Sequence, residues 1–145
     1  MSDSNSFRLT IEAKSVNEAF CRIITSAFIA PLDPTIEELN DLKTAVSEAV
    51  TNAIVHGYGD RRGKLYIEGS IISQSTVKIK IRDKGRGIED VEKAMQPLFS
   101  TGGEDRAGLG FTVMQSFCDR VKVTSAPEKG TSVTLIKRIA GRSRW

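Results

Sequence analysis

The stretch over residues 35–57 constrains this chain more than any other. Ile36, Leu39, Leu42, Val46, Ala49, Val50 and Ala53 recur at three- and four-residue spacing, so they share one side of a helix. Thr35 and Glu38 have the spacing of a capping box, Asp33 and Glu37 add negative charge near the positive helix end, and Gly57 is a natural C-terminal stop. The next segment has a different period. Leu65, Ile67 and Ile71 read as one strand, residues 73–75 turn, and Val77, Ile79 and Ile81 alternate with Lys78, Lys80 and Arg82 until Asp83 ends the second strand. That is a hairpin with one buried face.

The flanks extend this plan. Phe7, Leu9 and Ile11 alternate with polar residues as an opening strand. Ser15 and Glu18 are placed to cap a first helix reaching about residue 30, with Phe20, Ile23, Ile24, Ala27 and Phe28 on its apolar side and Pro31 and Pro34 beyond it. A short helix is expected over 89–95. Residues 96–110 lack sustained periodicity, and Gly102, Gly103, Gly108 and Gly110 predict a mobile segment. A third helix is expected from about 111 to 118. Val121 and Val123 begin a strand, residues 127–130 turn it, and Val133, Leu135 and Ile139 continue in a last one. With 145 residues the chain suits one domain over 1–145. The element order predicts an α+β fold: a two-layer sandwich of a mixed, mostly antiparallel sheet with helices on one face.

Charge and composition exclude several functions. The net charge is +3, yet residues 137–145 hold Lys137, Arg138, Arg142 and Arg144 and no acid, which leaves −1 for the rest. The basicity reads as that of a solvated tail from about residue 140, or of a weak contact to an acidic partner. With aromatics at 6%, the near-neutral body disfavours nucleic acid. No apolar run approaches the roughly 18 residues of a membrane span. The polar Met1-Ser2-Asp3-Ser4-Asn5-Ser6 lacks the regions of a signal peptide, so a cytoplasmic address is expected. Cys21 and Cys118 lie in apolar helical patterns as buried, reduced thiols. One histidine and no C-x-x-C disfavour a zinc-type site.

Three segments carry candidate chemistry. Glu48 and Asn52 are one helical turn apart and project from the same side. An Asn amide oxygen suits Mg²⁺, and a carboxylate beside it could accept a proton from an attacking hydroxyl; an ordinary exposed pair is the plain alternative. Asp83-Lys84-Gly85-Arg86-Gly87 follows a strand. Its Asp could accept from an adenine amino group, and Gly85 and Gly87 let the backbone approach a ligand, although a glycine turn alone would look the same. Arg106-Ala107-Gly108-Leu109-Gly110-Phe111 reads as a glycine loop entering a helix, where backbone N–H groups favour phosphates and Arg106 could pair with a terminal one; a flexible loop with a solvated arginine also fits. No G-x-x-x-x-G-K-[ST] and no G-x-G-x-x-G after a strand occurs.

In order and spacing these segments resemble the three nucleotide-binding boxes of the superfamily of DNA gyrase, heat-shock chaperone ATPases, histidine kinases and mismatch-repair ATPases, and residues 7–139 fit its Bergerat-type ATP-binding fold. Within it, Glu48-Ala49-Val50-Thr51-Asn52-Ala53-Ile54 with His56-Gly57-Tyr58, Pro97-Leu98-Phe99 and Lys129-Gly130-Thr131 resemble the sporulation anti-sigma-F factors, which are serine kinases. The resemblance implies ATP and Mg²⁺ as cofactors, Glu48 as catalytic base, Asn52 as Mg²⁺ ligand, Asp83 as adenine contact and Arg106 near the γ-phosphate. It implies nucleotide contacts at Gly85, Gly87, Thr101, Gly108 and Gly110, and Thr131 behind the adenine. It also implies a sigma factor held through Arg22 and Glu18, an anti-anti-sigma protein as serine phosphoacceptor, and a bacterial homodimer for which the first strand offers an edge. The lid segment over 100–105 is shorter than usual in that family and lacks its lysine. Anti-sigma-B-like stress kinases share the boxes and stay open. So do the ATP-binding module of a histidine kinase, although the chain has no phosphoacceptor helix pair and His56 reads as structural, and an ATP-gated binder without turnover.

Overall fold

Five strands make one sheet in the order β1 (Ser6–Glu12), β2 (Lys64–Ile71), β3 (Thr76–Asp83), β5 (Gly130–Arg138), β4 (Arg120–Ala126). The computed structural model describes the backbone of residues 4–96 and 106–142, and the side chains of all of these except 106–109. Each of the four pairings is antiparallel, so the sheet expected to be mostly antiparallel is wholly so among the described strands. Register aligns Leu9, Ile67, Ile81, Val133 and Val123 in one row. The adjacent row, Arg8, Glu68, Lys80, Thr134 and Lys122, points to the other side.

The apolar side is covered by α1 (Glu18–Ile29), α2 (Ile36–Asn52) and α4 (Arg106–Phe117), while α3 (Val91–Ala94) is a single turn. Leu42, Val46 and Val50 of α2 and Phe111 and Met114 of α4 are buried with Leu65, Ile79 and Leu135 of the sheet. The capping box of α2 forms on both sides: Thr35 Oγ1 accepts from the Glu38 amide at 3.0 Å, and Glu38 Oε1 accepts from the Thr35 amide at 2.9 Å.

Several expectations are corrected. Ser15 does not cap α1; residues Ser15–Asn17 form a 3-10 turn, and the Glu18 carboxylate is taken by Arg22 and Thr51 instead. The buried side of α1 is Cys21, Thr25 and Ile29, whereas Phe20 and Ile23 (64% exposed) face outward, as does Ile36 (77%) at the start of α2. Phe28, half-buried, packs edge-on against Phe7 of β1 at 4.8 Å between ring centroids, as the apolar side read from the sequence requires. Gly57 does not stop α2. A π-helical stretch, Ala53–Tyr58, continues the helix, and the chain leaves it at Gly59 with φ 62°. The helix expected from about 111 starts at Arg106. Its two glycines, each unfavourable by about 1 kcal/mol in a helix interior, concealed it.

The basicity is not a tail property either. Lys137 and Arg138 belong to β5, and Lys137 Nζ reaches the Phe117 carbonyl at 2.8 Å. Past β5 the chain is tied down: Glu38 Oε2 accepts from the Ala140 amide at 2.7 Å and Glu38 Oε1 from the Gly141 amide at 3.2 Å. Burial raises the thiol of Cys21 to about 11 and of the half-buried Cys118 to about 12, so both stay protonated at neutral pH. Among the described residues no helix is long and apolar enough to cross a membrane.

Candidate functional site

The site begins where α2 crosses α4. Glu48 and Asn52 leave α2 one turn apart and meet the backbone of α4 at Gly110. A Cβ on Gly110 would stand 2.9 Å from Asn52 Nδ2, 3.2 Å from Asn52 Oδ1 and 3.2 Å from Glu48 Oε1. Glycine is therefore what lets the two helices approach with both polar groups between them. Asn52 Nδ2 is buried and has no hydrogen-bond partner among the described residues, a costly state that marks the amide as built for something else.

The end of β3 forms the floor. Asp83 is 4% exposed, and its Oδ1 accepts from the Gly85 amide at 2.9 Å. Burial pushes its carboxyl above the usual range, and the Gly85 and Thr131 amides only partly oppose this. Gly57 backs directly onto that carboxylate: a Cβ there would lie 2.9 Å from both of its oxygens. Gly85 in turn sits against the Gly57 carbonyl, where a side chain has no room, and Arg86 donates its amide to that carbonyl at 2.9 Å. Tyr58 holds this junction. Its hydroxyl donates to the Lys64 carbonyl at 2.7 Å and accepts from the Lys84 amide at 2.8 Å.

A hydroxyl pair completes the wall. Ser125 Oγ accepts from the Ile88 amide at 2.7 Å and donates to the Gly130 carbonyl at 2.9 Å. Its single proton is then committed, so Thr131, 2.8 Å away, donates to it and keeps its own lone pairs for a ligand. Asn52, Asp83, Gly87 and Thr131 thus line one recess with about 440 Å³ of open space, between apolar walls of Ala49, Ile81, Ile88 and Phe111. Three polar groups converging in a mostly apolar pocket suit a flat heterocycle with a polar edge.

The family model of the histidine kinase-like ATPase domain matches residues 11–137. The chain belongs to that family. It is 54% identical over 140 residues to the anti-sigma F factor of Thermoanaerobacter sp. (strain X514), covering 96% of this chain and 97% of that one. It is 52% identical over 137 residues to the anti-sigma F factor of Halalkalibacterium halodurans, covering 93% of each. Its fold is similar to that of a Mycobacterium tuberculosis structure of RsbU and RsbW domains, at a TM-score of 0.68 and 18% identity, covering 93% of this chain and 32% of that one.

Against the ATPase family, the expected site residues fall into groups. Asn52, Asp83, Gly87 and Thr131 line the recess, and Glu48 stands beside Asn52 at Gly110. Gly85 lies behind Asp83 and positions it. Gly108 and Gly110 are not in a loop but inside α4, so the Gly110 amide serves the helix, and close approach is what its lack of a side chain provides. Arg106 opens α4, its side chain outside the described residues, and Thr101 lies outside them altogether. Arg22 and Glu18 sit on α1, away from the recess. Arg22 Nη1 contacts Glu18 Oε1 at 2.6 Å and Ser47 Oγ at 3.4 Å, while Thr51 Oγ1 donates to Glu18 Oε2 at 3.0 Å.

Sequence reasoning missed Tyr58, Ser125 and Ile88, and it set aside His56, which lines the recess. His56 stands out as the single histidine, and Tyr58 two residues on belongs to the His56-Gly57-Tyr58 stretch of the resemblance, but neither residue type nor local spacing marks Ser125 or Ile88. The residues present fit an adenine nucleotide with Mg²⁺. The carboxylate and hydroxyl can face the base, Asn52 carries both an amide oxygen of the kind Mg²⁺ takes and an unpartnered Nδ2 able to donate to a phosphate oxygen, and glycines stand where backbone and ligand must approach.

Proposed function

We propose that this chain binds ATP with Mg²⁺ in the recess and works as an anti-sigma factor that phosphorylates a serine of an anti-anti-sigma protein. The observation that carries the nucleotide reading is the meeting of Glu48 and Asn52 against Gly110, at the rim of a recess floored by Asp83 and Thr131. The relatives named anti-sigma F factor, similar along nearly the whole chain, support the regulatory part.

In this reading Asp83 accepts from the adenine amino group, and Thr131 supports it from the side. The backbone at Gly85 and Gly87 turns close beneath the base. Asn52 offers its amide oxygen to the metal. Bound ATP with Mg²⁺ supplies the transferable phosphoryl group. Glu48 takes the proton from the acceptor serine hydroxyl onto its carboxylate, Arg106 offsets charge on the phosphoryl oxygens with help from Thr101 and the first-turn amide of Gly108, and Gly110 lets α4 approach Asn52 and Glu48. Arg22 and Glu18 present α1 to the sigma factor. Residues 1–145 act as one cytoplasmic domain in a homodimer that pairs through the β1 edge.

The test is Glu48→Gln, assayed with labelled ATP and a candidate anti-anti-sigma protein. ATP binding is expected to persist while transfer slows by about 10²- to 10⁴-fold, the usual share of a general base. Phosphoserine mapped on the acceptor supports the reading. Transfer by the variant at the wild-type rate removes Glu48 from its role, and phosphohistidine on the chain itself reassigns the activity.

A further inference from the structure

The side of the sheet turned away from the helices carries a charge that the chain total conceals. On β3, β5 and β4 its outward positions hold Lys78, Lys80, Arg82, Arg120, Lys122 and Arg138 and no acid. On the same face β1 and β2 add Arg8 and Lys64 but also Glu12 and Glu68, the last opposite Lys80, so the strands of the whole face carry +6, twice the +3 of the whole chain. Between the two rims runs β5, whose outward Ser132, Thr134 and Ile136 are shorter than the lysines and arginines on either side. The result is a trough with about 750 Å³ of open space, lined by Lys78 and Lys80 on one wall and Arg120 and Lys122 on the other. No described acid forms an ion pair with any of these four.

We infer that this trough is a docking groove for an acidic polypeptide segment in extended conformation, with Asp or Glu at alternate positions. The spacing supports the occupant. Same-side residues on a strand repeat at about 6.8 Å, and the two rims, two strands apart, lie about 10 Å from each other. An extended segment laid along β5 has the same repeat, so its alternate carboxylates meet lysines and arginines in register while Ser132 and Thr134 offer hydroxyls beneath. Nucleic acid is the poorer fit. Single strands are held by free aromatic platforms, and the one aromatic on this face among the described residues, Tyr66, is already covered by Arg82 at 5.6 Å and Lys84 at 4.7 Å. A second copy would oppose like charge with like charge. The groove lies across the sheet from the nucleotide recess, so it stands independently of the kinase reading.

The test uses the full chain and a fluorescein-labelled peptide of Glu-Thr repeats, followed by anisotropy. The peptide is expected to bind, more weakly as salt rises. The double variant Lys80→Glu with Lys122→Glu should weaken it about tenfold or more, with ATP-Mg²⁺ binding unchanged. Lys80→Gln with Lys122→Gln, which keeps the size and removes only charge, should give an intermediate loss and guards against misfolding of the reversed pair. Equal peptide binding by all three chains, or no binding at all, overturns the inference. So does an oligothymidylate of equal charge that binds more tightly than the peptide, or a dimer in sedimentation that disappears in the double variant.

Discussion

Replacing Gly110 by Ala separates stability from function more sharply than any other change in this chain. The new Cβ would lie 2.9 Å from Asn52 Nδ2 and 3.2 Å from Glu48 Oε1. Ordinary carbon contacts are about 3.5–4.0 Å, so both side chains must give way by several tenths of an ångström. Two effects on stability oppose each other. Alanine is favoured over glycine within a helix by about 1 kcal/mol, and crowding a packed contact costs about 1–3 kcal/mol. The net loss is therefore about 0–2 kcal/mol, which a domain of ordinary stability survives. The site is less tolerant. A shift of about 1 Å in a positioning group can cost on the order of 100-fold in rate, so one of several tenths of an ångström should cost about tenfold. Urea denaturation should show a folded, cooperative protein, and single-turnover phosphoryl transfer from ATP-Mg²⁺ should be slowed about tenfold. Transfer at the wild-type rate by the folded variant would refute the idea that Gly110 is there to keep Asn52 and Glu48 in place.

Tyr58→Phe removes the hydroxyl that joins the Lys64 carbonyl to the Lys84 amide, and a loss of about 1–3 kcal/mol in urea denaturation is expected; an unchanged midpoint contradicts the role of that junction. Glu38→Gln tests the tail attachment. Burial raises the Glu38 carboxyl, but the Thr35, Ala140 and Gly141 amides and the Thr35 hydroxyl outweigh it, so the net shift is downward. Its stabilisation is therefore present above the unfolded value of about 4.3 and is lost as pH falls through the lower folded value. The variant should be less stable by about 1 kcal/mol at pH 7 after solvent screening, with the gap closing in acid; a gap that does not depend on pH rejects the charge argument. Asp83→Asn has the opposite sign. The Asp83 carboxyl is raised, so its contribution is present below about 3.9 and is lost as pH rises through the folded value. The variant should gain stability over wild type at pH 7 and lose that advantage toward pH 4, and a variant less stable at pH 7 than wild type would show that the hydrogen bonds of the carboxylate outweigh its burial.

Elements with a strong local period were legible from the chain alone. The capping box and apolar face of α2, the alternation of β2 and β3, and the chain positions of Glu48, Asn52 and Asp83 all rest on residues within a few places of one another. Where local signals competed, reading them failed. Ser15 and Glu18 have cap spacing, but Glu18 is drawn to Arg22 and to Thr51, 33 residues away. The apolar side read on α1 faces outward in part: Cys21, Thr25 and Ile29 are the buried positions, while Phe20 and Ile23 are exposed. Gly110, which weakens a helix by propensity, instead allows α4 to sit close to α2.

The amino-acid order by itself determined the elements, their order and the residue types available for binding a nucleotide, because periodicity, caps and turns act over a few residues. Only the tertiary structure decided that Gly110 faces Asn52, that Ser125 holds Thr131, that Glu38 ties down the chain end, and that the cations of three strands gather on one side. Each of those depends on distances between parts of the chain far apart in sequence, and packing alone sets such distances.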